Sequence, residues 1–202
     1  ITFTNGVATV SGGNNGVMTL YKAESASIAA TATGVTTPAP LGVVVSASGM
    51  SKFVMSLTSP QSSGVAFTGT NTLTAQDAYG NTAAFSASTN NVTLAAVTPL
   101  TGAISGLSGA NKLTSAGDFV SGVADLTVLG MKYTGNAATG TFTATSATGG
   151  YTGTSAGVVV TAGGATKFVV AGSSTQTAGV GQNLTITAQD ANGNTDGNYT
   201  GS

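Results

Sequence analysis

An eight-residue sequence occurs twice in the chain with a single change. The copies are residues 74–81 (TAQDAYGN) and 187–194 (TAQDANGN). Each continues a stretch in which apolar residues alternate with threonines, the pattern of a β-strand with one buried face. The Gly-Asn pair that ends each copy tolerates positive φ and predicts a tight turn. A strand that ends twice in the same turn indicates a repeated module.

Other short segments recur at nearly the same spacing as the two octets, which lie 113 residues apart (190 minus 77). The recurring pairs are 51–54 with 166–169 and 42–45 with 157–160, both 115 residues apart, and 3–8 with 119–124, 116 residues apart. Landmarks this consistent predict a structural repeat of about 115 residues.

This period divides the chain into three parts. We expect residues 1–50 to be the back part of a unit, 51–165 a complete unit and 166–202 the front part of the next. The segment 90–116 has no counterpart in either partial unit.

Alternation and turn residues predict an all-β fold. The seven strands expected in the complete unit are residues 52–58, 70–77, 91–96, 111–115, 122–129, 139–146 and 157–162, with Phe142 and Ala144 facing inward. Asn5-Gly6 and Asn15-Gly16 predict hairpin turns in the first partial unit. Short strands at this spacing, with no helical period, favour an antiparallel β-sandwich.

The composition excludes several classes of function. Charged residues make up 5% of the chain, against roughly 25% in an ordinary domain, while hydrophobic residues at 41% are sufficient for a core. The five lysines are scattered and there is no arginine, which argues against nucleic acid and anionic membranes as partners. No apolar run is long enough to predict a membrane-spanning helix.

Catalysis is not expected from the side chains present. The chain has no histidine and no cysteine, so no triad that depends on them can form. Asp118 and Asp125 are the carboxylate pair that glycoside hydrolysis would need, but strand parity puts them on opposite faces. We therefore assign no catalytic residue and predict that the protein is not an enzyme.

One segment offers oxygen ligands at alternate positions, a spacing that Ca²⁺ can use. Its members are Asp190, Asn192, Asn194 and Asp196. The other copy keeps only Asp77 and Asn81 of these four, and bonding from the aspartate to its own backbone explains both copies. We therefore predict no cofactor and assign no metal ligand, with Ca²⁺ at 190–196 as the alternative.

Several motifs resemble those of a known group of proteins. The motifs are Gln-Asp-Ala-x-Gly-Asn-Thr, Gly-Thr-Phe-Thr-Ala-Thr-Ser and Ala-Thr-Lys-Phe-Val. They are similar to the tandem bacterial immunoglobulin-like repeats of secreted surface proteins, including the modules of the invasin and intimin type. The resemblance covers essentially the whole chain, and it implies Ig-like β-sandwiches in series and an extracellular location at the cell surface.

The resemblance leaves two functions open. The first is a structural component, a stalk, surface layer or filament, whose partners are adjacent repeats or neighbouring copies. The second is an adhesin module that binds a glycan or a host protein. The partial units have two explanations: the sequence is a window on a longer chain, or front and back parts complete each other by strand exchange between molecules.

Overall fold

The computed structural model describes residues 3–8 and 17–201, and their regular structure is almost entirely β-strand. The strands in chain order are β1 (Glu24–Ile28), β2 (Thr31–Ala32), β3 (Val35–Thr36), β4 (Leu41–Val45), β5 (Lys52–Ser56), β6 (Gln61–Ser62), β7 (Thr72–Gln76), β8 (Val92–Ala96), β9 (Ala103–Ser105), β10 (Lys112–Leu113), β11 (Val123–Asp125), β12 (Lys132–Thr134), β13 (Ala138–Gly140), β14 (Phe142–Ser146), β15 (Thr152–Thr154), β16 (Val158–Thr161), β17 (Lys167–Ala171) and β18 (Thr185–Gln189). Within this part of the chain the one helical element is a 3-10 turn at Ala116–Asp118. Over the same residues, no helix has the length and apolar character needed to cross a membrane.

Strands β5 to β16 form one packed region, which we call the central body. Its sheets have the orders β11-β7-β5, β10-β8-β14-β15, β13-β16-β6 and β12-β9. Their pairings are antiparallel except that of β16 with β6, which is parallel. The predicted all-β fold is confirmed, with sheets arranged as in a β-sandwich.

Alternate residues of facing strands supply a single hydrophobic core. Strands β5 and β7 bury Phe53 and Leu73, and strands β8 and β14 bury Leu94 and Phe142. Burying one such side chain contributes about 1.5–3 kcal/mol. In the described part of the chain, every buried apolar side chain lies between Phe53 and Val160, so the core belongs to the central body.

The strand predictions were wrong in detail. The strand expected at 139–146 is two strands, β13 and β14, which belong to different sheets. The break follows Gly140, where a side chain would collide with Leu100. Four short strands, β6, β9, β12 and β15, were not predicted because two or three residues are too few to show alternation.

Two hairpins flank the central body, and each repeats a pairing found within it. The N-terminal hairpin, β1 to β4, pairs Glu24 with Val45 as the central body pairs Ala138 with Val160. The C-terminal hairpin, β17 and β18, pairs Phe168 with Ala188 as β5 and β7 pair Phe53 with Ala75. The strand registers therefore recur at the spacing read from the sequence.

A small turn near the N-terminus recurs as well. Thr4 and Val7 exchange backbone hydrogen bonds, as Val120 and Val123 do 116 residues later. The two central residues have φ of 51° and 77° at Asn5 and Gly6, and 49° and 81° in the later turn. The hairpin turn predicted at Asn15-Gly16 lies outside the described residues.

The two copies of the strand pair differ in burial. Phe53 is 3% exposed and its counterpart Phe168 is 57% exposed; Leu73 is fully buried and its counterpart Ile186 is 64% exposed. The exposed counterparts line an open cavity of about 660 Å³. The apolar face of the C-terminal hairpin, which we call the open face, thus has the pattern of a core strand pair.

Candidate functional site

The turn that follows β7 is closed by the side chain of Asp77. Its Oδ1 accepts hydrogen bonds from the backbone N–H groups of Tyr79 and Asn81, both at 2.9 Å. Between them Gly80 has φ of 88°, which a residue with a Cβ adopts only with strain. The Asp-x-x-Gly-Asn sequence dictates this turn because the carboxylate holds two N–H groups and the glycine forms the left-handed corner.

The other oxygen of the same carboxylate reaches beyond the turn. Asp77 Oδ2 accepts hydrogen bonds from Asn81 Nδ2 at 2.8 Å and from the backbone N–H of Ser48, just after β4, at 2.9 Å. The Asn81 side chain also contacts the residues before β1: Nδ2 donates to the Tyr21 carbonyl at 2.7 Å, and Oδ1 accepts from the Ala23 N–H at 2.8 Å. We call these contacts between the N-terminal hairpin and the central body the first joint.

The second octet makes the same contacts between the central body and the C-terminal hairpin. Asp190 Oδ2 accepts from Asn194 Nδ2 at 2.8 Å and from the backbone N–H of Gly163, just after β16, at 3.0 Å. Asn194 Nδ2 donates to the Gly135 carbonyl at 2.8 Å, and Asn194 Oδ1 accepts from the Ala137 N–H at 2.7 Å. These contacts form the second joint.

The two joints match atom for atom. In each joint the aspartate accepts two bonds inside the turn, one from the asparagine amide and one from the linker, and the asparagine bonds one carbonyl and one N–H of the preceding residues. These six distances differ by no more than 0.1 Å between copies. The repeated octet is therefore a connection between successive parts of the chain as well as a turn.

Both joint carboxylates are buried and charged. Asp77 is fully buried and Asp190 is 3% exposed. Burial alone raises the pKa of each carboxyl group, because desolvation disfavours the charged form. The side-chain amide and the three backbone N–H groups that each carboxylate accepts outweigh that effect, so that both pKa values lie below the usual range. The hydrogen bonds of the joint therefore stabilise the ionised form.

The residues around this hydrogen-bonded centre differ between the joints. In the first joint the rings of Tyr21 and Tyr79 pack with centroids 4.7 Å apart. In the second joint the corresponding residues are Gly135 and Asn192, and Asn192 Nδ2 lies 3.4 Å from Ser63 Oγ. The centre is kept while its surroundings change.

The residues considered for Ca²⁺ are engaged in this second joint. Asp190 and Asn194 accept hydrogen bonds from the N–H groups described above, and Asp196 Oδ2 accepts one from the Ala165 N–H at 2.9 Å. A cation there would have to displace these donors. Among the residues that the structure describes, no group of three or more Asp and Glu side chains is placed to hold a metal. The Ca²⁺ site stays a prediction.

The carboxylate pair weighed for hydrolysis has structural contacts. Asp118 is buried and its Oδ2 accepts from Ser108 Oγ at 2.6 Å and from the N–H groups of Thr114 and Ser115 at 2.7 and 2.8 Å. Asp125 is exposed and its Oδ1 accepts from two backbone N–H groups of the following turn. Each carboxylate holds its own loop.

Sequence reasoning found the octet but missed its partners. Asn81 and Asn194 form their hydrogen bonds with backbone carbonyl and N–H groups of the preceding residues, and no side-chain pattern marks those groups. One signal was present: Asp and Asn are kept in both octets while the residue between them changes from Tyr79 to Asn192. A turn alone requires the glycine more than the asparagine, so an invariant asparagine indicates a contact outside the turn.

No protein-family model matches the chain, and none of the curated proteins matches it. A similarity is found to the solved structure of the surface layer protein SbsC, domains 4–9, with a TM-score of 0.32 and 22% identity over 81% of this chain. The chain spans 23% of the length of that one. A TM-score this low leaves fold and function to be argued from the chain's own geometry.

Proposed function

We propose that the protein is a non-enzymatic structural component of an extracellular surface assembly, such as a stalk, surface layer or filament. Its parts are Ig-like β-sandwich units in series: the back of one unit at 1–50, a complete unit at 51–165 and the front of the next at 166–202. The observation that carries this proposal is the pair of matching joints, since a chain that connects its parts twice in the same way is suited to building a regular array.

The joints supply the mechanical property that an array needs. A bending motion that opens a joint would separate Asn81 from Tyr21 and Ala23 and would break both hydrogen bonds. Each such bond contributes about 0.5–1.5 kcal/mol. The joint therefore resists bending, and a load along the chain passes into the strand ladders on either side.

The carboxylates also favour a structural role. A general acid or base must exchange a proton with a substrate, whereas Asp77, Asp118 and Asp190 are buried and each accepts at least three hydrogen bonds from the protein itself. With few charges elsewhere in the chain, the surface is coated mainly by small neutral side chains.

Solution scattering tests the arrangement in series. A compact domain of 202 residues has a radius of gyration of about 17 Å; we expect a clearly larger value and an elongated distance distribution. A compact particle would contradict the proposal.

Protease treatment and antibody labelling of intact cells test the surface location. A protein that is neither cleaved nor labelled until the cells are opened would exclude that location. Saturable binding on a glycan array would select the adhesin alternative.

We propose further that the open face is covered by polypeptide resembling residues 117–160, supplied in a filament by strand exchange from a neighbouring molecule. The rings of Phe168 and Tyr199 meet edge to face at 5.3 Å and 80°, as those of Phe53 and Phe85 meet at 5.2 Å and 81°. In the central body Phe119 packs on that second pair.

Sedimentation velocity over a range of concentrations tests this exchange. The variant Ile186→Asp should abolish self-association, because it places a charge in the open face. The matched control is Val169→Asp on β17. The Val169 side chain points to the opposite face of the strand from Phe168 and Val170, so this variant should still self-associate. A parent chain that stays monomeric at every concentration would exclude strand exchange and leave the arrangement in series intact.

A further inference from the structure

We infer that the joint is a generic connector: it recognises backbone atoms of the preceding unit and sets one fixed orientation between every unit and its predecessor. This inference rests on the proposed arrangement of units in series. Its partner is therefore the end of any preceding unit that presents the same backbone groups, whatever side chains that unit carries there.

The atoms that the aspartate and asparagine bind in the preceding residues belong to the backbone. In the first joint they are the Tyr21 carbonyl oxygen and the Ala23 and Ser48 nitrogens. In the second they are the carbonyl oxygen of Gly135 and the nitrogens of Ala137 and Gly163. Tyrosine is replaced by glycine and serine by glycine, yet every backbone bond is kept. The one bond that is not repeated is from a side chain, Ser48 Oγ to Asp77 Oδ2 at 3.3 Å. The bonds common to both joints thus do not depend on the side chains at these positions.

These bonds define an orientation. The asparagine amide is planar, and it bonds a carbonyl and an N–H two residues apart, which fixes the direction of the preceding segment. The aspartate bonds a third point in the linker, and the backbone closes the linker by a bond from the Ser51 N–H to the Gln76 carbonyl at 2.8 Å, repeated as Thr166 to Gln189 at 2.8 Å. Three points that are not in line fix one rigid body on another.

The segment that the asparagine binds is short. Residues 21–23 lie immediately before β1, and residues 135–137 immediately before β13, outside the strand ladders. Among the described residues these carbonyl and N–H groups take no part in a strand ladder, which leaves them available to the asparagine. To be joined, a unit needs this short segment ahead of the strand and one N–H group in the linker.

The consequence is a constant screw operation. If each joint sets the same orientation, every unit is related to the next by the same rotation and translation, so an array of such units is a regular helix with one unit per repeat. The differing surroundings of the centre, Tyr21 with Tyr79 and Gly135 with Asn192, adjust the stiffness of a joint and leave its geometry unchanged.

Pulsed electron–electron double resonance on the full chain tests this inference. The protein has no cysteine, so spin labels attach only at cysteines that are introduced in pairs. Ser25→Cys with Val54→Cys spans the first joint, and Thr139→Cys with Val169→Cys spans the second at corresponding strand positions. We expect the same mean distance for both pairs. Unequal means in the otherwise unchanged chain would overturn the inference, and this comparison needs no joint variant to fold.

Variants separate the centre from its surroundings. Asn81→Ala should broaden the distribution of the first pair alone, Asn194→Ala that of the second alone, and Tyr79→Asn should leave the first mean unchanged. A shifted mean in Tyr79→Asn, or unchanged widths in both alanine variants, would contradict the inference. If scattering shows an elongated particle but the two spin-label distances differ, only the generic connector is excluded. If scattering shows a compact particle, the proposed function is excluded.

Discussion

The side-chain oxygen of Asn81 accepts a hydrogen bond of 2.8 Å from the backbone nitrogen of Ala23, which lies 58 residues earlier in the chain. The same bond forms at 2.7 Å between Asn194 and Ala137, 57 residues apart. Because the asparagine bonds its own aspartate as well, one side chain couples the turn, the linker and the preceding hairpin. In each joint this asparagine can be replaced without touching the core.

Replacing Asn81 by alanine should open the first joint locally. The Ala23 N–H then loses its acceptor, and a lost hydrogen bond of about 0.5–1.5 kcal/mol corresponds to amide exchange faster by roughly 2- to 13-fold. Hydrogen exchange followed by NMR measures this at Ala23, with Ala137 as the internal reference. Asn194→Ala should give the reverse pattern. Equal changes at both alanines in either variant would show that the joints do not act separately.

Acid should weaken the joints only well below neutral pH. The pKa values of Asp77 and Asp190 are lowered from the ordinary 3.8 in the folded chain, so the unfolded chain takes up protons first as the pH falls. Their contribution to stability is therefore complete above about pH 4 and is lost as the pH falls towards the folded pKa values. Urea unfolding between neutral pH and about pH 2 measures the loss.

Asp77→Asn is the matched variant for that titration. It should lower the unfolding midpoint at neutral pH and flatten the dependence on pH below about pH 4, because one of the groups that binds a proton on unfolding is gone. A variant with the same acid slope as the parent would show that Asp77 does not link folding to protonation.

The sequence was sufficient to predict the recurring strand positions because inward-facing residues and turn residues are local signals. Phe53 and Phe168, and the two octets, occupy corresponding strand positions, and the registers on both sides agree. The division of 139–146 into two strands was not visible, since it depends on Leu100 packing against Gly140, about 40 residues away in sequence. Strand breaks of this kind are decided by tertiary packing.

The joint could be predicted only in part, for a different physical reason. The turn at Asp77 is closed by residues within four positions of it, so local chemistry determines it. The contacts of Asn81 with Tyr21 and Ala23 reach backbone groups about 60 residues away, and every residue except proline offers the same backbone groups. Only the fold shows which ones are left free by the sheet.

Truncating the two equivalent β7 and β18 side chains should have unequal effects. Leu73 is fully buried in the core of the central body, so Leu73→Ala should cost about 2–5 kcal/mol in the free energy of unfolding. Ile186 occupies the same register position on the open face. In dilute solution, where no neighbouring molecule covers that face, Ile186→Ala should change the free energy of unfolding by no more than about 0.5 kcal/mol. Urea unfolding of the monomer measures both. A large cost at Ile186 would indicate that the open face is covered within the monomer itself.

Replacing the glycine of each recurring turn by alanine should distinguish the cost of backbone strain from the cost of a steric collision. Gly122 and Gly6 both have positive φ, 81° and 77°, so alanine at either site costs about 1–2 kcal/mol of strain. A Cβ at Gly122 would also collide with the carbonyl oxygen of Ala83, whereas at Gly6 no atom of the residues that the structure describes lies within 4 Å. Since that carbonyl belongs to the backbone, it cannot rotate away as a side chain would.

Gly122→Ala should therefore lower the urea midpoint of the central body by more than backbone strain alone would, while Gly6→Ala should leave that midpoint unchanged. Equal midpoints in the two variants would mean that the turn at Gly122 can move away from Ala83 at little cost.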